Sequence, residues 1–470
     1  MSQIESVLLP PRIPLIVQPA NRGSTVNKDA KLVNCYIEVD KDGELFIYKR
    51  PGMAETGVAV GAAAGRGSFY WQGSVYAVFG NKLYVDGVEE ATGLNTAGGV
   101  YRFDSILGSN PKIILTNGIR TYTYNQTDGL SAHINSICPD FPPVAVKGWA
   151  YLNGFSYVMT SHAVIQQSEL NSVDTALSWS ALNFVTAQIE PDNGVFLAKQ
   201  LVYVVALKQW TIEYFFDAGN ETGSSLGPVQ GMKVNYGCAS ADSVQRINDT
   251  LLFLCSSQTA SNQVAMLYQG QITIVSTPAI DRILANANLS VVYSWQLALN
   301  GHSFYVVTIT SSNITLVYDI NQDLWCQWTD KDGNYIPIAS STYNVDGKHI
   351  LQHESNGKLY FMNSSYYSDA GDVIVVDVIT PLFDAGSNNK KQLNRLRVIA
   401  DQQPGSVLNI KYSDNDYQTW TTFRQVELDK TNPMLFNLGT FRKRAFHLQH
   451  RNNTPLRIRA LEGSFDLGTL

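Results

Sequence analysis

The stretch from Asn300 to Trp328, NGHSFYVVTITSSNITLVYDINQDLWCQW, brings His302, Asp319, Asp323 and two tryptophans into one short span. A histidine and a carboxylate can do general acid–base work. They must lie within hydrogen-bond reach of each other and of a substrate. The structural alternative is equally concrete. His302 follows the turn Asn300-Gly301 and heads a strand, where its side chain can bond a neighbouring backbone group. Asp319 sits in VYDINQDLW and can accept backbone N–H groups in the turn after Tyr318. Tyr305 and Tyr318 then supply strand packing. Trp325 and Trp328 pack between neighbouring sheets, where their large area stabilises both sides. A carbohydrate-stacking role is the functional alternative for the tryptophans.

A second group is SDNDYQTW, Ser413 to Trp420. It is similar to the Asp-box hairpin of sialidases, with Asn415 in place of the aspartate and Tyr417 in place of the glycine. Even intact, that motif staples a hairpin. Ser413, Asn415 and Thr419 would bond the turn, with Trp420 beneath. A sialidase also needs an arginine cluster for the substrate carboxylate, and arginine is sparse before this point. The third group is basic: FRKRAFHLQHR from Phe441, joined by Lys390, Lys391, Arg395 and Arg397. On a strand Arg442 and Arg444 would share one face. The sharp reading is an intersubunit or phosphate contact, and the plain one is a solvated strand face. No recognition helix or zinc module accompanies it, which argues against sequence-specific DNA binding. GAAAGRG at Gly61 lacks the Lys-Ser/Thr of a phosphate loop. Cys35, Cys138, Cys238, Cys255 and Cys326 are scattered without metal spacing and read as buried thiols of a chain made in a reducing cytoplasm. No cofactor or metal is expected.

The elements that must position these groups are hairpins. Strand-turn-strand units begin near Ser68, Lys112, Trp149, Gln200, Asn248, Asn300 and Asp346. The steps of ~35–55 residues are the spacing of propeller blades. Dipeptides such as Asn153-Gly154, Asn300-Gly301 and Asn356-Gly357 supply tight turns. The expectation is an all-β protein: a β-propeller over 31–380 with seven blades, or six if two hairpins share one. A β-sandwich pair or a β-solenoid is the alternative. An N-terminal extended arm (1–30) precedes it. A C-terminal β-sandwich-like domain (381–470) follows, because the strands after Thr380-Pro381 alternate strongly. One helix is expected from Pro278 to Ala287, capped by Thr277, with Ile280, Ile283 and Leu284 on one face. No targeting segment or membrane-length apolar run is visible.

The net charge of −6 is uneven. Ser387 to Leu470 carries 13 basic and 7 acidic residues, a net +6, leaving −12 for the remainder. The two regions could attract each other, within one chain or between copies. A mildly basic domain without special role is the plain alternative.

Four stretches, in order, resemble one family. They are LVNCYIEVDKDGELFIYKRPGM, the segment from Trp179 to Gly219, the Gly301-His302…Tyr318-Asp319…Trp325 signature, and YSDNDYQTW. The family is the packaged-DNA stabilisation proteins of short-tailed phages, the podovirus tail hub or nozzle. Where its last turn carries paired glycines, this chain has Asp416-Tyr417. The resemblance implies a structural virion protein and not an enzyme. It implies a homo-oligomeric ring, a hexamer, below the portal-adaptor, with tail spikes or fibres and a tail needle or plug as neighbours. Such a ring extends the channel for double-stranded DNA and retains the packaged genome until ejection. The protein would be made in the bacterial host cytoplasm and end in the phage tail. A propeller glycosidase of sialidase type and a receptor-binding tail tip are the competing functions.

Overall fold

A computed structural model describes residues 12–15, 30–134, 136–343 and 347–468. Most of the expected N-terminal arm therefore lies outside the described residues. Arg12–Ile13 does pair with Glu462 and Leu461 of a C-terminal strand.

The chain is all-β, and its ring is a propeller. Seven antiparallel sheets follow one another: blade 1 at 65–92, blade 2 at 102–132, blade 3 at 150–186, blade 4 at 194–228, blade 5 at 237–274, blade 6 at 292–328 and blade 7 at 338–363. The seven hairpins of the sequence fall one to a blade. Middle strands such as Lys112–Thr116 and Thr121–Asn125 are buried along their whole length, because each blade packs between two others. The rim strand Val88–Thr92 is largely exposed. The turns take the left-handed geometry the dipeptides offer, with φ of 52° and 87° at Asn153-Gly154 and 52° and 83° at Asn300-Gly301. Blade 7 is completed by Gly52–Ala59 from the start of the chain, paired with Lys358–Asn363. This joins the two ends of the ring.

The strands outside the ring form no isolated unit. Lys31–Val33 pairs with Leu324–Trp328 of blade 6 and with Val376–Ile379, and Ala445–His450, Val407–Ser413 and Arg424–Glu427 continue that sheet. A second sheet runs Cys35–Val39, Leu45–Lys49, Arg457–Leu467, Lys391–Ala400, Met434–Phe436. The two sheets share one core, with Ile47, Leu396 and Val398 meeting Val378, Ile410 and Leu448, and the core runs on into Val306 and Trp328 of blade 6. The segment 31–49, expected in the propeller, thus joins the C-terminal strands. Its buried face, Cys35, Ile37 and Ile47, finds its apolar partners there.

The helix runs Pro278–Ala285 with Pro278 in its first turn. Ile280 and Leu284 are buried, while Ile283 is only half-buried. The Thr277 side chain makes no cap; the first-turn Asp281 accepts instead from the Ser276 hydroxyl at 2.6 Å. Among the described residues no helix is long and apolar enough to cross a membrane.

Candidate functional site

His302 and Asp319 do meet. Nδ1 of His302 lies 2.6 Å from Oδ2 of Asp319, and both side chains are buried. The partner of His302 is thus a carboxylate on the adjacent strand of its own hairpin, and not the backbone group expected. The other oxygen of Asp319 accepts the Asn321 amide at 3.0 Å, as a turn-stapling aspartate does. Phe304 stacks on the His302 ring and Tyr36 meets it edge-on. The dyad is walled by aromatic rings and lines neither of the large cavities described below. Tyr305 donates its hydroxyl to the Ser243 carbonyl at 2.8 Å, tying blade 6 to blade 5. Trp325 donates Nε1 to the Val275 carbonyl at 2.7 Å and stacks obliquely on Tyr318 in the core shared by those blades. Gly301 makes the turn with open space around it.

The strongest polar junction escaped sequence reasoning. Arg50 is fully buried and uses every donor: Nε to Asn34 Oδ1 at 2.8 Å, Nη1 to the Pro51 carbonyl and Asp369 Oδ1 at 3.0 Å each, Nη2 to the Thr329 carbonyl at 3.2 Å and to Asp369 Oδ2. Asn34 is also held in the left-handed region and receives the Thr329 amide. Strands from the start of the chain, blade 6 and the segment after blade 7 are thereby clamped together. Both residues lie in the LVNCYIEVDKDGELFIYKRPGM stretch. A lone arginine before a proline has no spacing that marks it as buried.

The C-terminal staple forms. Ser413 Oγ donates to Asn415 Oδ1 at 3.0 Å, the Thr419 amide donates to the same oxygen at 2.9 Å, and Asn415 Nδ2 donates to Thr419 Oγ1 at 2.7 Å. Asp416 and Tyr417 adopt φ of 57° and 63° at the position of the paired glycines. The ring buried beneath the turn is Tyr417, whose hydroxyl donates to the Thr380 carbonyl at 3.1 Å; Trp420 is half-buried against His447.

The basic group does not form one face. A bend at Arg442 and Lys443 breaks the strand alternation, so Arg442 is exposed and Arg444 is buried. Arg444 is held by both oxygens of Asp414 at 2.6 and 2.8 Å and lies 3.8 Å from the Tyr412 ring centroid. Lys391 is also buried, donating to the Ser387 and Asn389 carbonyls. Lys390, Arg395 and Arg442 are exposed and Arg397 half-buried. Arg444 and Lys391 are therefore structural, because burial binds their charge to the fold.

Two cavities among the described residues bear on the charged groups. A cleft of about 870 Å³ lies between blade 6, the helix and the C-terminal sheet, lined by Lys31, Arg282, Lys331, Asp332 and Asp377 among others. Asp377 accepts from His447 at 2.6 Å and from Gln449 at 3.0 Å. Burial alone would push its carboxyl up, but these bonds and the His447 and Lys31 charges hold it below the usual range. The second cavity, about 490 Å³, is the axial pore, lined by the inner strands of blades 1, 2, 4, 5, 6 and 7 and by Gly148-Trp149 just before blade 3. Among the described residues no cluster of three or more His, Cys, Asp or Glu could hold a metal, and all five cysteines are free and buried.

No curated protein matches the chain. Among solved structures it is similar to streptogramin B lyase (11% identity, 67% of this chain and 98% of that one, TM-score 0.42). It is also similar to the N-terminal domain of Nup159 (9% identity, 71% and 99%, TM-score 0.39) and to Raptor of Chaetomium thermophilum (11% identity, 67% and 29%, TM-score 0.40). The family described as "Bacteriophage P22 Gp10, beta-propeller" matches residues 26–367. That match covers well over half of the chain, through all seven blades and the Asn34–Arg50 clamp, so this protein belongs to that phage-stabilisation family and is a bacteriophage structural protein.

Proposed function

We propose that several copies of this protein form a ring in a short, noncontractile phage tail, below the portal-adaptor. The ring extends the DNA channel and retains the packaged genome until ejection. The protein acts as a scaffold and not as an enzyme, with spikes or fibres and a needle or plug as further neighbours. The channel lies on the axis of the assembly and not through one propeller. A void of 490 Å³ drawn out to the ~12 Å width of a duplex major groove would be only about 4 Å tall. Seven-residue inner strands such as Gly65–Trp71 span about 23 Å.

The observation that carries the reading is a polarity across the ring. The C-terminal strands, net +6, continue the sheet of blade 6 and share an apolar core with blade 7. Blade 3 lies across the seven-membered ring from them, and 147–228, covering blades 3 and 4, holds seven acidic and three basic residues. That pole also exposes Leu170, Leu177, Leu182 and Phe184. An acidic, apolar pole on one copy and a basic pole on the next favour head-to-tail contact, which closes into a ring when the rotation allows. Mass photometry of the protein mixed with its cognate adaptor ring should give discrete oligomers on the adaptor; monomers alone would sink the proposal. Negative-stain images of a knockout lysate should show filled heads that lose their DNA.

A further inference from the structure

The pore reverses the charge of the ring around it. Its lining carries Arg102 from blade 2, Lys199 from blade 4 and Arg246 from blade 5, against one carboxylate, Asp104 of blade 2. Among the described residues the side chains of Lys199 and Arg246 make no hydrogen bond or ion pair, whereas Arg102 is already engaged: its Nη2 donates to the Asp242 carbonyl and its Nε lies 3.9 Å from Asp242 Oδ1. Asp104 accepts only the neighbouring Ser105 amide, at 2.8 Å. Both free cations act electrostatically on Asp104, yet neither comes close enough to pair with it. Cations that face a shared void and leave the available carboxylate unpaired are arranged for an anion that enters it. Ser294 and Gln296 of blade 6 add polar groups to the wall.

We propose that the axial pore binds an oxyanion of the phosphate class, held between Lys199 and Arg246. The ligand chemistry is a tetrahedral dianion, either free or as the phosphoryl group of an ester. This site is independent of ring assembly, because all its groups come from one copy. It joins blades 4 and 5 at the axis, so occupancy stiffens the ring. Burial pushes the Asp104 carboxyl up to about 6, against the pull of Arg246 and Lys199. The pore therefore loses its one negative charge as pH falls through that value. The pore also contains His349, held below its ordinary value by burial, and Tyr101, whose hydroxyl burial pushes up.

Sulfate is the probe, since its charge is constant over this range. Thermal unfolding is followed in sulfate and in chloride at matched ionic strength. Wild type should gain saturable stabilisation by sulfate. Lys199→Gln/Arg246→Gln should bind at least about tenfold more weakly, as expected for two lost charge-assisted hydrogen bonds. Asp104→Asn should bind several-fold tighter than wild type at pH 7.5 and equally at pH 5. Competition by AMP identifies an ester as the better occupant; competition by inorganic phosphate alone identifies the free ion. Equal sulfate stabilisation of wild type and of the double variant, with circular dichroism showing both folded, is general salting-out and overturns the proposal.

Discussion

His133 offers a clean test of burial against charge. It sits in the core between blades 2 and 3, 4% exposed, with its ring 4.7 Å from Phe141 and 6.3 Å from Trp149. Neither ring nitrogen has a hydrogen-bond partner among the described residues. Burial lowers its pKa to about 4 from 6.5, and the nearby Asp174 only partly offsets this. The folded value lies below the unfolded one, so the stability tied to the neutral ring is complete above pH 6.5. It is lost as pH falls from 6.5 towards 4, where the unfolded chain takes up the proton first. Linkage over these two values gives a loss of about 2 kcal/mol between pH 7.5 and pH 5.0. His133→Leu removes that term and leaves the other histidines to cancel in the difference. Urea unfolding followed by tryptophan fluorescence should show the variant gaining about 2 kcal/mol on wild type between the two pH values. A change below about 0.5 kcal/mol, the scatter of neutral substitutions, would refute the account of a buried, unpartnered imidazole.

Three further outcomes follow from the geometry. Arg50→Met should cost about 3–5 kcal/mol in chemical denaturation, because it strands Asp369 and frees Asn34; Arg50→Lys should rescue little, since a lysine cannot replace the five-donor fork. Asp416→Gly should be neutral or stabilise by up to about 1 kcal/mol in thermal melts, since its φ of 57° favours glycine. Tyr417→Gly should destabilise at the same turn through loss of the buried ring and its bond to Thr380. Leu177→Asp/Leu182→Asp should leave the monomer's melting curve unchanged, as these side chains are 85% and 78% exposed, and should abolish adaptor-dependent oligomers in mass photometry.

Much of the ring was legible from local signals. Asn-Gly turns and alternating aromatic or β-branched strands are rules of neighbours in sequence, and each of the seven hairpins became one blade. The Ser413–Thr419 staple was legible for the same reason, as all its bonds span four residues or fewer. The site residues were harder. Arg442 and Arg444 looked like a pair because alternation was assumed through a bend. His302 looked like a backbone ligand because its carboxylate comes from the next strand, 17 residues on.

The sequence by itself determined the hairpins, the blade period, the charge asymmetry and, through the order of its signatures, the family. Those depend on residue type and spacing within a few tens of positions. Only the tertiary structure decided which charges are solvated and which are locked: Arg50 finds Asp369 across 319 residues, and Arg444 finds Asp414 at the bend after a neighbouring strand. It alone brought Arg102, Lys199 and Arg246 to one axis, because ring closure sets strands from separate blades around a common void. It also drew 31–49 out of the propeller, since the apolar face of those strands packs with the C-terminal strands and blade 6, as Ile47 does opposite Ile458. Charge and apolarity are written residue by residue, but what each group faces is fixed by closing the ring.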